Sequence, residues 1–380
     1  MTVERVKSVL LGCAVGLTAA GLLLWPGAGA EGVQEGLLLC GGVLIPALFP
    51  FLVLSSLAVE LGFSRCLGTL LSPMMYPLFR VNGSCGAALA LGLVGGYPVG
   101  ARTAVQLYES GQCSKAEAER LLAFCNNCGP AFTLGVVGVG LFGSSRVGLL
   151  LCAVHVLSAL LVGILFRFYG GQEKFSCSRP DHTGFQAVSL SAALTRSVAG
   201  AVRSSLSITG FVLTFSVLLR LFRQSGLMGC SARLLSPLLG PVWAERFLTG
   251  FLELSSGVSS LTDGPPLLRL TAAAWMLGWG GLSVHGQVLA FLGDSGLSAR
   301  PHFFGKILQG CISSFFILLF VGIFHLGGEI SCFSPSVPLS VLDFYGTFRS
   351  LFHSSFSFWS GMMILSSFTA KYAIEKHRRL

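Results

Sequence analysis

The chain consists largely of apolar runs that are each long enough to cross a lipid bilayer. A bilayer core about 30 Å thick requires roughly 20 helical residues, at 1.5 Å per residue. Such runs recur along the whole chain, near residues 8–25, 36–59, 84–107, 120–142, 146–168, 204–222, 243–261, 270–292, 306–326 and 350–370. This pattern predicts an all-α polytopic membrane protein with no room for a large soluble domain.

The composition agrees with a lipid environment and argues against nucleic-acid binding. Of the 380 residues, 53% are hydrophobic and 11% are charged, whereas soluble domains carry about 25% charged residues. The net charge is +9, but the basic residues are spread over short connectors and both termini, not gathered on one face. We therefore expect the lipid bilayer as a partner. The first apolar run resembles a signal peptide, but further spans follow it directly, which favours a retained helix.

Neither a metal site nor an enzyme is predicted. The twelve cysteines lie mostly singly within apolar runs, where cysteine behaves as a small hydrophobic residue. The CNNC segment at 125–128 is the one CxxC, and it lacks a second pair or a histidine at ligand spacing. No nucleophile elbow, HExxH motif or P-loop is present. The sequence therefore predicts no enzymatic activity, no cofactor and no bound metal.

The stretch LVGGYPVGARTAVQLYESG, residues 93–111, interrupts an apolar run. We expect the helix to stop near Gly96 and a half-helix to restart after Pro98, because glycine permits unusual backbone angles and proline removes a donor. The free N–H groups of the restarted helix would favour an anion. Tyr97 would add an aromatic face and Arg102 a bidentate carboxylate contact. Together with Gly100 these are candidate substrate-binding residues. The alternative is that they only serve helix packing.

A second interruption follows a polar helix start. Ser114 and Glu117 form a predicted capping box, so a helix should begin at Lys115 and stay exposed for two turns. The run then places two carboxamides deep in apolar surroundings, where they need hydrogen-bond partners. Those partners would be a ligand or the broken backbone itself. The candidate binding residues here are Asn126, Asn127, Gly129, Pro130 and Thr133.

The second half of the chain carries its own polar groups within apolar runs. Glu253 is a candidate for ion or proton coupling, with Arg102 as its expected ionic partner, or else for a structural ion pair. His285 is a second coupling candidate, because histidine can carry a proton near neutral pH, or it satisfies a neighbouring backbone group. The candidate binding residues in these runs are Ser255, Ser256, Ser283 and Gln287.

An internal repeat relates the two sets of interruptions. The segment FLVLSSLAVELGFSRCLGTLLSP, which ends at Pro73, aligns with FSVLLRLFRQSGLMGCSARLLSP, which ends at Pro237. We predict one membrane domain over the whole chain with inverted repeats at 30–168 and 190–326, and a tail at 327–380 with a candidate last span. Matching breaks in inverted halves point to a substrate site near the bilayer midplane and to alternating access.

The segment GGYPVGARTAVQLYESGQCSKAEAERLLAFCNNCGPAFTLGVVG resembles the hallmark region of sporulation integral membrane proteins with a nucleoside-recognition, or Gate, domain. The LLSP segments and GFLELSSGV match as well. This group includes the stage V sporulation dipicolinate transporter of endospore-forming bacteria. The resemblance implies a fold with broken or re-entrant helices similar to that of concentrative nucleoside transporters, a multi-pass location in the outer forespore membrane, and site roles for the GYPVG and NNxGP residues.

These observations lead to one leading hypothesis and two alternatives. The first is a secondary carrier of a small aromatic carboxylate, with dipicolinate as the expected solute moved into the developing spore. The second is a nucleoside or small-solute permease coupled to protons or sodium ions through Glu253. The third is a non-transporting membrane scaffold for assembly of the spore envelope. The sequence leaves the oligomeric state open.

Overall fold

The computed structural model describes residues 3–61, 63–171 and 189–323, and in these ranges it contains helices and no strand. The helices of the first half are α1 (Val3–Leu24), α2 (Pro26–Leu39), α3 (Ile45–Glu60), α4 (Phe63–Met74), α5 (Gly86–Gly95), α6 (Val99–Glu109), α7 (Lys115–Phe124) and α8 (Ser145–Phe166). Those of the second half are α9 (Leu190–Gln224), α10 (Leu227–Leu239), α11 (Pro241–Leu252), α12 (Leu254–Ser259), α13 (Pro266–Trp279), α14 (Gly281–Leu292) and α15 (Arg300–Ile323). The predicted all-α class is confirmed.

In the described part of the chain, four helices are long and apolar enough to cross a membrane. They are Pro26–Leu54, Ser145–Phe166, Leu190–Gln224 and Arg300–Ile323. Gly68–Phe79 and Gly83–Gly95 form a bent pair at 115°. Four of the apolar runs, near 84–107, 120–142, 243–261 and 270–292, are interrupted, in agreement with the two broken spans expected in each half. The expected span near 350–370 and the tail from 327 lie outside the described residues.

The order of elements is the same in both halves of the chain. Each half has a long apolar helical segment, then a short helix carrying LLSP, which is α4 in the first half and α10 in the second. Two broken segments follow in each half. In the first half they are α5–α6 and α7 with a π-helical segment (Ala131–Leu141), and in the second half they are α11–α12 and α13–α14. The closing helices α8 and α15 pack against each other. An inverted relation between the halves stays a prediction.

The predicted capping box at the start of α7 is confirmed. The Ser114 hydroxyl accepts a hydrogen bond from the Glu117 N–H, and Glu117 Oε2 accepts one from the Ser114 N–H at 2.8 Å. Glu117 Oε1 also accepts from the Asn82 N–H at 2.7 Å. One buried carboxylate therefore fixes both the start of α7 and the turn before α5.

The expected exposure of the first two turns of α7 is wrong. From its second residue onward α7 is buried, because α6, α8 and α15 pack around it. Its polar groups meet partners from distant segments: Glu119 accepts from the Ser298 N–H at 2.9 Å, and Arg120 donates to carbonyls that include that of Tyr169. The Tyr169 hydroxyl donates to Glu119, and burial, followed by this carboxylate, raises the pKa of Tyr169.

Replacing Glu117 with alanine is expected to lower the free energy of unfolding by about 2–3 kcal/mol. The buried N–H groups of Ser114 and Asn82 would lose a charged acceptor, and hydrogen bonds to charged groups contribute about 1.5–3 kcal/mol each. The measurement is denaturant unfolding of the purified protein in detergent micelles. Glu109→Ala, at an exposed position in the last turn of α6, is the control and should change little. Equal stability of both variants would contradict the role of the box.

Candidate functional site

The first interruption lies where the sequence predicts it. Helix α5 ends at Gly95, Gly96 has φ +76°, and α6 begins at Val99. A Cβ atom at Gly96 would lie 2.9 Å from the Gly129 nitrogen. Residues with a side chain rarely adopt this φ, so glycine serves both the turn and the close approach. The two breaks of the first half therefore touch each other at Gly96 and Gly129.

The start of α6 is filled by protein groups, not left open for a solute. A Cβ atom at Gly100 would lie 2.1 Å from the Cys125 carbonyl oxygen, so Gly100 is a packing position. The Asn126 Oδ1 accepts a hydrogen bond from the Ala101 N–H at 3.4 Å. The Val99 N–H donates to the Gly96 carbonyl oxygen at 2.9 Å. The expectation that free N–H groups after Pro98 face an anion is thus corrected for Val99 and Ala101, whose N–H groups already have protein acceptors.

The Asn127 side chain likewise forms hydrogen bonds with protein groups, one in the backbone and one on α15. Its Nδ2 donates to the Phe124 carbonyl oxygen at 2.8 Å, and its Oδ1 accepts from Gln309 Nε2 at 3.0 Å. The next N–H, that of Cys128, donates to His155 Nε2 at 3.0 Å. Thr133 donates to the Gly129 carbonyl oxygen at 3.2 Å. Carboxamide and imidazole groups thus satisfy a backbone that leaves the helix deep in the protein.

The second half has a matching pair of breaks. Helix α11 ends before Glu253, whose backbone is extended, and α12 starts at Leu254. Glu253 is buried, with 2% of the residue's surface exposed. Its carboxylate accepts hydrogen bonds from the N–H groups of Ser255 at 2.9 Å and Ser256 at 2.6 Å. A Cβ atom at Gly281, which has φ +78°, would lie 2.8 Å from the Leu254 nitrogen. Here too the two breaks are in contact.

Tyr97 connects the breaks of the two halves. Its hydroxyl donates to the Leu277 carbonyl oxygen, in the last turn of α13, at 2.9 Å. A Cβ atom at Gly280 would lie 3.2 Å from the same hydroxyl oxygen. The first break of the first half thus contacts the second break of the second half. The Tyr97 hydroxyl already has a protein acceptor for its hydrogen bond.

A cavity lies where these breaks meet. Its empty volume is about 740 Å³, a figure that includes the open mouth. The polar residues along it are Tyr97, Glu253, Ser255, Ser283 and Gln287, beside the backbone of Gly96 and Gly129. Apolar side chains complete the wall: Leu44, Leu48, Phe51, Phe132, Ile208 and Phe211. Apolar walls with a few polar groups are typical of small-molecule sites.

Ser283 and Gln287 differ from the other polar groups of the cavity. Both belong to α14, and they are 2% and 7% exposed. Within the described ranges neither side chain has a hydrogen-bond partner. Buried polar groups are normally satisfied, so these two side chains have unused donors and acceptors along the cavity.

Several predicted site residues lie away from this cavity. Arg102 is exposed, its guanidinium 6.0 Å from the centre of the Phe291 ring, and in the described residues it forms no ion pair with Glu253. The expected pairing is therefore not formed, because Glu253 is used to cap α12. The side chain of His285 packs between the Trp279 and His302 rings, at 4.2 and 4.9 Å. Pro98, Gly100, Asn126, Asn127, Pro130, Thr133 and Ser256 also do not line the cavity.

The sequence interpretation missed a buried lysine. Lys306 on α15 is fully buried, its Nζ donates to Gln309 Oε1 at 2.6 Å, and Nζ lies 5.3 Å from the centre of the Tyr97 ring. An ionisable residue inside an apolar span is itself a functional signal. This signal is weak in the sequence because Lys306 stands at the edge of the predicted span near 306–326. His155 and Gln309, which join the same network, were missed as well.

Comparison with known proteins places the chain in a family. The family model described as Gate, nucleoside recognition, matches residues 42–145, which contain both breaks of the first half. The sporulation integral membrane protein YlbJ of Bacillus subtilis (strain 168) is 31% identical over 342 residues, covering 84% of each chain. The chain belongs to the YlbJ family of sporulation integral membrane proteins. The predicted Gate-domain family is thus confirmed. Specificity for dipicolinate stays a prediction.

Membership of the YlbJ family makes this an integral membrane protein, and residues 42–145 match the Gate domain. A solved structure, of CNTnw in an inward-facing substrate-bound state, is similar over 85% of this chain and 84% of that one, with 14% identity and a TM-score of 0.48. The binding roles of the individual site residues stay predictions.

Proposed function

We propose that the protein is a secondary carrier of a small planar aromatic solute, with dipicolinate as the first candidate. The observation that carries the proposal is the cavity at the meeting point of the four breaks, where Ser283 and Gln287 keep free polar groups. Irregular backbone at membrane depth is tolerated where it lines a cavity or is buried in protein. The presence of such irregular backbone at matching places in both halves fits transport by alternating access.

The chemistry of the cavity supports an aromatic carboxylate in two ways. Dipicolinate is a planar pyridine with two carboxylates, so its ring suits walls that include Phe51, Phe132 and Phe211. Its carboxylates would accept hydrogen bonds from the Gln287 amide and the Ser283 hydroxyl. The sporulation integral membrane protein among its relatives supports a role in sporulation, and we propose the outer forespore membrane as its location.

A second candidate is a proton- or sodium-coupled permease for nucleosides or other small neutral solutes. Among the described residues that line the cavity, Glu253 alone carries a formal charge. A carboxylate there would repel a dianion, but it accepts hydrogen bonds from the hydroxyl groups of a sugar. The description of the matched family as nucleoside recognition favours the same solute.

Transport by the full chain in proteoliposomes separates the two candidates. We expect uptake of labelled dipicolinate and at least a tenfold smaller uptake of uridine. Gln287→Leu removes both free amide functions and should lower dipicolinate uptake by about tenfold, which corresponds to about 1.4 kcal/mol and to one hydrogen bond. The matched control is Gln224→Leu at an exposed position at the end of α9.

Each alternative result has a defined meaning. Preferred uptake of uridine would replace the first candidate by the second. Uptake of neither solute by the wild-type protein, together with a sporulation defect on deletion, would favour the scaffold. Equal uptake by Gln287→Leu and Gln224→Leu would contradict the assignment of the cavity as the solute site.

A further inference from the structure

Lys306 is a buried amine that has no acidic partner among residues 3–61, 63–171 and 189–323. Its side chain is fully enclosed by protein. Among the described residues, Nζ forms one hydrogen bond, to Gln309 Oε1 at 2.6 Å, although an ammonium group has three donors. In the described part of the chain no carboxylate lies within 4.0 Å of Nζ. A buried charge without a counter-charge is costly, so this environment favours the neutral amine unless an anion is near.

Titratable side chains from several of the elements packed around Lys306 lie near its amine. They are Cys125 at the end of α7, Cys128 in the second break, His155 on α8, His285 on α14, His302 one turn earlier on α15, and Tyr97 in the first break. None of them is a carboxylate. The nearby groups thus provide no fixed negative charge to hold Lys306 permanently as an ammonium.

Lys306 is also connected to the segments that would have to move. Gln309, its acceptor, donates from Nε2 to Asn127 Oδ1 at 3.0 Å, in the second break of the first half. The Tyr97 ring, which Nζ approaches at 5.3 Å, lines the cavity and reaches α13 through its hydroxyl. A charge on Lys306 would therefore act on both breaks of the first half and on the wall of the cavity.

We propose that Lys306 is the proton-coupling residue of this carrier, neutral when the cavity is empty and protonated when an anionic solute occupies it. This inference rests on the proposed function and names its coupling ion. The amine nitrogen takes a proton from one aqueous phase, forming an N–H bond, and releases it to the other phase when the solute leaves. One proton thus moves with each solute anion. Glu253 is already engaged by two N–H groups and has a capping role instead.

The test uses the full chain in proteoliposomes at clamped membrane potential, with labelled dipicolinate as the probe. Two quantities are measured: exchange of external for internal solute without a pH gradient, and accumulation driven by an acidic exterior. For the wild type we expect both, with at least tenfold accumulation. Lys306→Gln should keep measurable exchange but accumulate less than twofold. Lys115→Gln, at an exposed lysine at the start of α7, should behave as the wild type.

The outcomes distinguish this inference from the proposed function. Absence of exchange by the wild type would overturn the proposed function, and the inference with it. Exchange by the wild type together with unchanged accumulation by Lys306→Gln would overturn the inference alone. If Lys306→Gln fails to fold, a pH dye inside wild-type liposomes decides: dipicolinate entry with one proton per solute supports the inference, and entry without protons overturns it.

Discussion

Replacing Gly100 with alanine is expected to destabilise the centre of the protein by on the order of 3 kcal/mol and to abolish transport. The added Cβ atom would lie 2.1 Å from the Cys125 carbonyl oxygen and 2.7 Å from its carbonyl carbon. These are backbone atoms, so no side-chain rotation relieves the contact, and overpacking of a rigid site costs about 1–3 kcal/mol or more. The helix must shift and lose the hydrogen bond that the Ala101 N–H donates to Asn126 Oδ1.

A matched substitution isolates the cause. Gly210 also lies within a helix, α9, but a Cβ atom there would meet nothing within 4 Å. Gly210→Ala should therefore be neutral or stabilising, since alanine is preferred over glycine in helices by about 1 kcal/mol. Thermal unfolding in detergent and dipicolinate uptake measure the two variants side by side. Similar unfolding midpoints would show that α6 does not approach the second break as closely as described.

Replacing Glu253 with alanine is expected to reduce uptake at least tenfold and to lower the free energy of unfolding by about 2 kcal/mol. The carboxylate is the acceptor for the N–H groups of Ser255 and Ser256, and loss of a cap costs about 0.5–2 kcal/mol. Because the site is buried, the released N–H groups find no water in exchange. The start of α12, where Ser255 lines the cavity, would lose its fixed position.

Glu253→Gln separates capping from ion coupling. The amide keeps one acceptor oxygen but cannot carry a charge or bind a proton. If Glu253 acts as a cap, this variant should retain uptake within about fivefold and keep the same dependence on pH and sodium. A loss of that dependence, with stability close to the wild type, would assign coupling to Glu253 and support the nucleoside permease. Glu109→Ala, at an exposed position on α6, provides the control.

The local features of the fold were predictable because short-range chemistry determines them. The helix stop at Gly96 follows from adjacent glycines and a proline, and the start of α7 follows from Ser114 and Glu117 at capping-box spacing. The contact between the breaks of the two halves was also predictable in outline, because the internal repeat places small and polar residues at matching positions in both halves. Tyr97 and Glu253 indeed line one cavity.

The parts that could not be predicted depend on long-range contacts. Whether Asn126 meets a solute or a backbone group depends on where α6 lies, and the contact to Ala101 links different elements. The burial of α7 depends on α15, which follows much later in the chain. The exposure of Arg102 has the same origin, because helical phase alone does not show which neighbours cover a face. Residue type indicated where polar groups were needed, but not which partner would satisfy them.

The hydrogen bond from the Tyr97 hydroxyl to the Leu277 carbonyl oxygen limits how the molecule can change shape. Any rearrangement that exposes the solute to the opposite aqueous phase must either carry the end of α13 along with the loop before α6 or rupture this bond. In the first case the two segments travel as one body and the hinge lies elsewhere. In the second, the phenol acts as a latch, and the energy needed to release it contributes to the barrier between the two orientations.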